Sequence, residues 1–437
     1  PTSGLEFVSS RHFPDNVQGD FLINNTIGFL GMKQHQLTDD GTGYKSKHRQ
    51  DLIVSKDRNF RPVDMEFAPD GSLFLIDWHN ILIGHMQHNA RDPLRDHTHG
   101  RVYRVTYPSR PLVTPAKVYG ASIDQLLDNL KLPEYRTRYR VRRELRGRKA
   151  SEILPKITSW VARLNKNEAD YEHHVLEALW VTWGLNKVDQ KLLNQLLQAK
   201  DYHVRAAAVK VLRYTGHQVK NQAALLAKAV EDKHGRVRME AFVAASWLPK
   251  ETALPILALA KNHPLDTWMD KPYEIAVAHA SGVNVVRKKE APLVSTLKGK
   301  DLELFTEGQK WYAKEGYCNT CHQTNGKGLP ASGFPPLANS IWVTGNQERL
   351  IKLVIKGIMG PMELNGIKYA GQVPMTPYGG LMSDKDIAAV LTYVRNSFGN
   401  KASAIDPEKV KEVRAKIEYK HDLYNANMLL SEHPIEK

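Results

Sequence analysis

The stretch Cys318-Asn319-Thr320-Cys321-His322 holds both cysteines of this 437-residue chain. A disulfide framework is therefore excluded, because no other cysteine remains to pair. A zinc site would need two further cysteine or histidine ligands at ligand spacing, and only scattered histidines remain. A thioredoxin-type C-x-x-C follows a β-strand, whereas a helical pattern over residues 302–315 precedes this motif. The two cysteines must serve some other chemistry.

The C-x-x-C-H spacing is the attachment signature of a c-type haem. Two thiols can bond to the vinyl carbons on one porphyrin edge, and the adjacent imidazole can reach the iron. We therefore predict one covalent haem c, held by Cys318 and Cys321, with His322 as an axial iron ligand. Because haem is joined to thiols outside the bacterial cytoplasm, the motif also predicts a periplasmic or otherwise extracytoplasmic protein.

Residues 299–400 around the motif resemble a class I cytochrome c. Gly308 and Tyr312 are similar to the small–aromatic pair at which that family's first helix crosses its last. Ser383 and Asp386 form an acidic variant of a capping box before an apolar helical stripe. The resemblance implies an all-α domain in which the Pro335 carbonyl accepts a hydrogen bond from the haem histidine and orients it.

The sixth iron ligand is expected among the methionines that follow the motif. The segment 373–379, Val-Pro-Met-Thr-Pro-Tyr-Gly, resembles the family's methionine-bearing loop, so we predict Met375 as the second axial ligand. His/Met ligation leaves no open coordination site, which favours electron transfer over gas sensing or peroxide chemistry. The alternatives are Met359, Met362 and Met382.

Residues 1–112 are predicted to be β structure. Two apolar runs within 63–78 flank Pro69-Asp70-Gly71, a turn in which proline fixes φ and glycine accepts a positive φ. A strand is predicted at 101–107. These hairpins resemble blades of a β-propeller, but two or three blades cannot close a ring of at least ~4. We expect the remaining blades upstream of Pro1 or in another chain.

A histidine-rich segment ends this β region, with Asp77, Asp92 and Asp96 interspersed. One interpretation is a metal or substrate site at the mouth of the propeller. The other is a polar loop held together by hydrogen bonds, because the spacing matches no defined metal geometry. Both remain open at this point. The candidate residues are His79, His85, His88, His97 and His99.

Residues 113–298 have helical periodicity and a degenerate repeat. The stretches 171–184, 201–214 and 234–247 resemble one another, with Val175, Val204 and Val237 aligned 29 and 33 residues apart. A repeat of this length predicts an α-solenoid of HEAT type, which offers a spacer or a protein-binding surface. Beyond the cytochrome-like unit, residues 401–437 form a tail in which Asp406 and Pro407 predict the start of a helix.

The formal net charge is +14, and residues 131–149 carry nine Lys or Arg against two Glu. This block is interpreted either as a solvated helix face or as a docking face for an acidic redox partner. The expected partners are such a redox protein or another subunit, and not nucleic acid. No run approaches the roughly 18 apolar residues of a membrane span.

Taken together, the segments 77–80, 83–88, 91–93 and 95–101 and the C-x-x-C-H motif resemble the C-terminal half of a multidomain bacterial family. That family links a glucose/sorbosone dehydrogenase-like propeller, HEAT-like repeats and a cytochrome c domain. The resemblance implies part of a sugar or alcohol dehydrogenase that passes electrons to an external acceptor, with a quinone cofactor or a divalent metal in the completed propeller. The alternative is a non-catalytic electron carrier or scaffold subunit.

Overall fold

The computed structural model describes residues 2–26, 29–81, 95–283, 295–314, 317–330, 333–371, 374–420 and 422–436. Along the chain it contains a β region, a region of paired helices and an all-α unit with a short hairpin. The predicted multidomain order of sheet, helical repeat and all-α cytochrome-like unit is therefore present. Within these ranges no helix is both long and apolar enough to cross a membrane.

The N-terminal strands form two open antiparallel sheets, one of four strands in the order β1-β2-β3-β4 and one of three in the order β5-β6-β7. A closed propeller ring is absent from the described residues. The strands are β1 Thr2–Phe7, β2 Phe21–Asn25, β3 Gly31–Asp40, β4 Gly43–Val54, β5 Pro62–Phe67, β6 Leu73–Asp77 and β7 Arg101–Val105.

The two sheets share one core and the predicted hairpin joins β5 to β6. Gly71 has φ +80° and its N–H donates to the Ala68 carbonyl at 2.9 Å, so the turn needs the conformational freedom of glycine. In β6, Leu73 and Leu75 are buried while Phe74 alternates outward. This period of two fixes one face of the sheet against the core.

The helical region is built from ten α-helices in the described residues, and the three repeats predicted from sequence are helices α4, α6 and α8. The helices are α1 Ile123–Asn129, α2 Tyr135–Arg146, α3 Ala150–Ala162, α4 Tyr171–Gly184, α5 Gln190–Leu196, α6 Tyr202–Thr215, α7 Gln222–Ala229, α8 Gly235–Ala245, α9 Lys250–Leu259 and α10 Asp270–Ala280.

The repeat register differs slightly from the predicted alignment. Val204 and Val237 are the third residues after their N-caps, but Val175 is the fifth after Asp170. The feature that recurs is the arginine four residues after the N-cap. Arg205 donates to the carbonyls of residues 199 and 200, and Arg238 to those of 232 and 233. Each arginine thus donates hydrogen bonds to backbone carbonyls of the loop that precedes its own helix.

Four arginines of the basic block 131–149 form ion pairs with other parts of the chain. Arg136 pairs with Glu6 at 2.6 Å and Arg140 with Glu66 at 2.8 Å, and both acids belong to the β region. Arg138 and Arg142 both pair with the buried Glu177 of α4. The proposed acidic partner is therefore not needed to explain these arginines, since most of their charge is balanced within the chain.

The C-terminal unit packs its first helix across its last long one. A Cβ on Gly308 would lie 1.9 Å from the carbonyl oxygen of Ala389, so only glycine permits this crossing. Ser383 and Asp386 form the predicted capping box, and Asp406 caps the tail helix. The elements are α11 Gly299–Ala313, α12 Cys318–His322, α13 Ile341–Thr344, α14 Gln347–Lys356, β8 Met362–Leu364, β9 Ile367–Tyr369, α15 Asp384–Arg395, α16 Pro407–Lys416 and α17 Ala426–Glu432.

Candidate cofactor site

A cavity of about 360 Å³ is lined mainly by residues of the C-terminal unit, and the C-x-x-C-H helix α12 forms one of its walls. Trp342, Leu350 and Leu391 are among the side chains that line it, so the lining is mainly apolar. Cys318, Cys321, His322, Pro335 and Met375 all line this same cavity. The structure therefore brings together every residue that the sequence assigned to haem binding.

The His322 side chain is buried and its ring is held by one backbone acceptor. Its Nδ1 lies 2.8 Å from the carbonyl oxygen of Pro335. Because a carbonyl can only accept, Nδ1 must carry the proton, and Nε2 keeps its lone pair. Burial lowers the pKa of His322, and the bond to Pro335 offsets this only in part. The ring is thus neutral and available to a metal through Nε2.

The loop after α12 places Pro335 beside His322. Gly328 has φ +63° and its N–H donates to the His322 carbonyl at 3.0 Å. A Cβ at Gly328 would lie 2.5 Å from the Phe334 carbonyl oxygen, so the chain approaches 334–335 too closely for any other residue. This turn explains why a proline thirteen positions away in sequence reaches the histidine.

The two thiols are free and lie in the α12 wall. Burial raises the pKa of the Cys318 thiol to about 12, and burial raises the pKa of Cys321 as well. Thioredoxin-type and other reactive cysteines have lowered pKa values. The environment therefore argues against thiol–disulfide exchange as the role of this pair.

All four candidate methionines, Met359, Met362, Met375 and Met382, line the cavity. Met375 is distinguished by its backbone, which is bonded to Ile358 in both directions: its N–H donates at 2.8 Å and its carbonyl accepts at 3.2 Å. Gly357, at φ +72°, packs against this same carbonyl, since a Cβ there would lie 2.3 Å from it. The Met375 loop is therefore fixed more firmly than its sequence alone suggested.

Sequence reasoning missed a contribution from the β region. Ser3, Thr26, Val63 and Trp78 line the same cavity, although they lie about 240 or more residues before the C-x-x-C-H motif. Trp78 directly follows the strand β6 and is partly exposed. No local pattern signals such a contact, because it depends on how the β region packs on the C-terminal unit.

The structure brings together some of the candidate residues of the histidine-rich segment. His79, Asp96 and His99 have ligand atoms within 4.8 Å of one another. His97 is described but does not belong to this cluster. His85 and His88 lie outside the described residues.

Each of the three regions matches a known protein family or domain. Residues 305–398 match the cytochrome c family, and residues 190–267 match HEAT repeats. Residues 1–109 match a domain of unknown function, DUF7133. Cytochrome c-552 of Thermus thermophilus is 38% identical over 119 residues, which cover 25% of this chain and 86% of that protein. The chain belongs to the cytochrome c family.

Two further relatives of this cytochrome are subunits of larger enzymes. The cytochrome c subunit of alcohol dehydrogenase (quinone) from Gluconacetobacter polyoxogenes is 36% identical over 115 residues, 25% of this chain and 23% of that protein. The fructose dehydrogenase cytochrome subunit of Gluconobacter japonicus is 29% identical over 147 residues, 33% of this chain and 27% of that protein. In these two proteins the match covers only about a quarter of the relative.

Membership of the cytochrome c family implies a haem c cofactor, and the cavity fits one. Its lining is apolar, as a porphyrin requires, and two thiols lie in the same helix as a neutral histidine. The His322 Nε2 lone pair is free because Nδ1 is committed to Pro335. A bound haem c would supply reversible one-electron exchange.

Proposed function

We propose that this chain is an extracytoplasmic electron-transfer protein whose haem is bound covalently through Cys318 and Cys321. In this proposal His322 and Met375 are the axial iron ligands. The observation that carries it is that all four side chains line one apolar cavity. Electron transfer itself is supported by the cytochrome c match and by relatives that are cytochrome subunits of dehydrogenases.

Each residue has a distinct task in this proposal. The thiols tether the porphyrin edge, and Pro335 keeps the His322 ring in the tautomer that can bind iron. The Met375 thioether closes the opposite axial position, so that no site remains for oxygen or peroxide. The apolar walls exclude water, and a dry environment is one of the means by which a protein sets the potential of a haem.

Acid–acetone extraction tests the covalent attachment. The wild-type chain, produced with a cytochrome c maturation system, should keep its haem on the polypeptide. The double variant Cys318→Ser with Cys321→Ser should release it. Met375→Ala is the matched control, because it changes an axial ligand but keeps both thioether bonds. Free extraction of haem from the wild-type chain would contradict the proposal.

The extracytoplasmic location rests on the same chemistry, because thioether attachment in bacteria takes place outside the cytoplasm. Expression in the cytoplasm without maturation proteins should yield chain that lacks covalent haem. Export of the same chain in a strain with those proteins should yield the haem-loaded form. Full covalent loading in the cytoplasm would contradict the assignment.

We further propose that the N-terminal sheets are blades of a propeller-type dehydrogenase unit. In a propeller both faces of each blade pack on neighbouring blades, so blade faces are apolar. The outer face of the three-stranded sheet carries exposed Phe74, Ile76 and Val102 beside the charged Asp64, Glu66 and Arg104. A further blade, from elsewhere in the same protein or from another chain, would cover these side chains.

The second candidate function is a carrier or scaffold subunit without substrate turnover. It is favoured by the relatives, whose names describe cytochrome subunits and not catalytic ones. Haem reduction by sugars or alcohols, measured with and without added quinone cofactor, separates the two. Substrate-dependent reduction supports the dehydrogenase, and reduction only by an added dehydrogenase supports the carrier.

A further inference from the structure

Two segments of the β region are held together around a buried carboxylate. Asp77 accepts hydrogen bonds from the backbone N–H groups of Arg61 and His79, at 2.6 and 2.9 Å, and from Arg101 Nε at 2.6 Å. The amide of Asn80 donates to the Asp96 carbonyl at 3.1 Å. Asp77 and Asn80 are each 1% exposed. These bonds fix residues 77–80 against residues 96–101.

These bonds bring three side chains of metal-ligand type, His79, Asp96 and His99, close together. Nε2 of His79 lies 3.6 Å from Oδ2 of Asp96, and Nδ1 of His99 lies 2.8 Å from the same oxygen. The first distance is too long for a hydrogen bond. Ligand atoms around a tetrahedral ion, each about 2.0–2.2 Å from it, are separated by about 3.3–3.6 Å. The His79–Asp96 pair already has this separation, and His99 is exposed enough to adjust.

His79 has a strained backbone conformation and a buried ring nitrogen. Its φ is +50°, a left-handed conformation that is costly outside glycine and clusters at functional sites. Its Nδ1 is buried, and the described residues offer it no hydrogen-bond partner. The other ring nitrogen, Nε2, faces Asp96 at 3.6 Å without a hydrogen bond and is the atom available to an ion.

The Asp96 carboxylate is prepared as an anionic ligand. Its Oδ1 accepts from the Thr98 and His99 N–H groups at 2.9 and 3.1 Å and from the Thr98 hydroxyl at 3.0 Å. Oδ2 is hydrogen-bonded to Nδ1 of His99 and lies 3.6 Å from Nε2 of His79, so a bound ion would take the place of the proton between His99 and Asp96.

We propose that His79, Asp96 and His99 bind one divalent transition-metal ion. Two imidazoles and one carboxylate form a nitrogen–oxygen set without thiolate, which suits zinc, iron, copper or nickel and disfavours calcium. Three protein ligands leave at least one position for water or for an oxygen donor of a substrate, as in catalytic metal sites.

The position of this site relates it to the haem cavity. His79 directly follows Trp78, whose side chain lines that cavity. A bound cation there would favour the electron-rich ferrous state and raise the haem reduction potential. This second consequence rests on the proposed electron-transfer function, whereas ion binding does not.

Zinc binding to the haem-loaded chain tests the site. Equilibrium dialysis against Zn²⁺ should load one high-affinity ion, and Zn K-edge absorption should show two imidazoles among nitrogen and oxygen neighbours. His79→Ala, His99→Ala and Asp96→Asn should each weaken this binding at least tenfold, because loss of even an outer-shell partner costs 10–100-fold. The matched control is His97→Ala, in the same segment but outside the cluster, which should bind as the wild type does.

Three outcomes would overturn the site: no zinc uptake by the wild type, unchanged affinity in the His79→Ala and His99→Ala variants, or equal loss in His97→Ala. Far-ultraviolet circular dichroism of the variants separates a lost ligand from a lost fold. A zinc-dependent rise in potential in the wild type, absent in His79→Ala, supports the link to the haem. Zinc binding without any change in potential would contradict that link while leaving the site in place.

Discussion

At the scale of single residues, the Pro335 carbonyl determines what His322 can do. By accepting a hydrogen bond from the protonated Nδ1, it leaves Nε2 as the metal-binding nitrogen. The sequence motif predicted this histidine, and resemblance to class I cytochromes suggested the proline. The close turn at Gly328 that joins them became apparent only from the backbone.

Met375→Ala should remove the proposed sixth ligand. A thioether favours ferrous iron, so the reduction potential should fall. The open position should bind carbon monoxide in the ferrous form, and the weak sulfur-to-iron charge-transfer band should disappear. Optical spectroscopy of the oxidised form measures the loss of the band, and spectroscopy of the carbon monoxide-treated ferrous form measures ligand binding.

Three methionines serve as matched controls for that experiment, because they line the same cavity. Met359→Ala, Met362→Ala and Met382→Ala should each keep the charge-transfer band. If the band survives in Met375→Ala and vanishes in one of these, the ligand has been assigned to the wrong loop. Their distance along the sequence from the C-x-x-C-H motif does not identify the ligand, and the structure places all four methionines in one cavity.

At the scale of elements, the crossing of α11 and α15 depends on Gly308. Gly308→Ala would bring a Cβ to within 1.9 Å of the Ala389 carbonyl oxygen and push the helices apart. We expect destabilisation by about 1–3 kcal/mol or more, the usual cost of overpacking. Thermal unfolding followed by the haem absorption measures it.

Gly184→Ala is the control for Gly308→Ala. Gly184 ends helix α4, and a Cβ there would meet no other atom within 4 Å, so the substitution should leave stability unchanged or slightly raised. Equal destabilisation by the two changes would mean that the close crossing at Gly308 does not explain the effect.

Glu177 joins helices α2 and α4 through Arg138 and Arg142, at 3.0 Å for the first pair. Burial alone would raise its pKa, but His173 and the two arginines outweigh burial, and the net pKa is lowered. Glu177→Gln should therefore destabilise the solenoid at neutral pH by about 3 kcal/mol, because two arginines lose their buried partner. Chemical denaturation followed by circular dichroism measures the loss.

The sign of the pH dependence follows from that lowered pKa. A carboxylate with a depressed folded-state pKa contributes stability above its unfolded pKa and loses it as the pH falls through the folded value. The difference between wild type and Glu177→Gln should therefore be full at pH 7 and shrink below about pH 4. Glu152→Gln, at an exposed pair with Lys149, should show no such difference. A stability difference between wild type and Glu177→Gln that does not change with pH would contradict the ion-pair explanation.

Helices and hairpins followed closely from sequence, because apolar periodicity and capping residues are local signals. The strand pair around Gly71 and the helices capped by Ser383 and Asp406 are present as predicted. The function of the arginines in 131–149 was not predictable, because Glu6, Glu66 and Glu177 are distant in sequence. A high density of charged residues in the sequence does not reveal whether those side chains contact solvent, another protein or the same chain.

At the scale of the whole molecule, the β region covers part of the haem cavity through Trp78 and Val63. Trp78→Ala should open the cavity to small solutes, so the haem should be reduced faster by ascorbate in stopped-flow measurements. Trp247→Ala, an exposed tryptophan of the solenoid outside the cavity lining, should leave the rate unchanged. Equal rates in all three proteins would show that Trp78 does not limit access.

The central claim is that this chain transfers single electrons through its haem. A potentiometric titration of the whole haem-loaded chain, followed by its visible absorption, tests this most directly. The account predicts one reversible one-electron transition, and a ferrous form whose spectrum does not change when carbon monoxide is added. An irreversible transition, or a ferrous form that binds carbon monoxide readily, would contradict it.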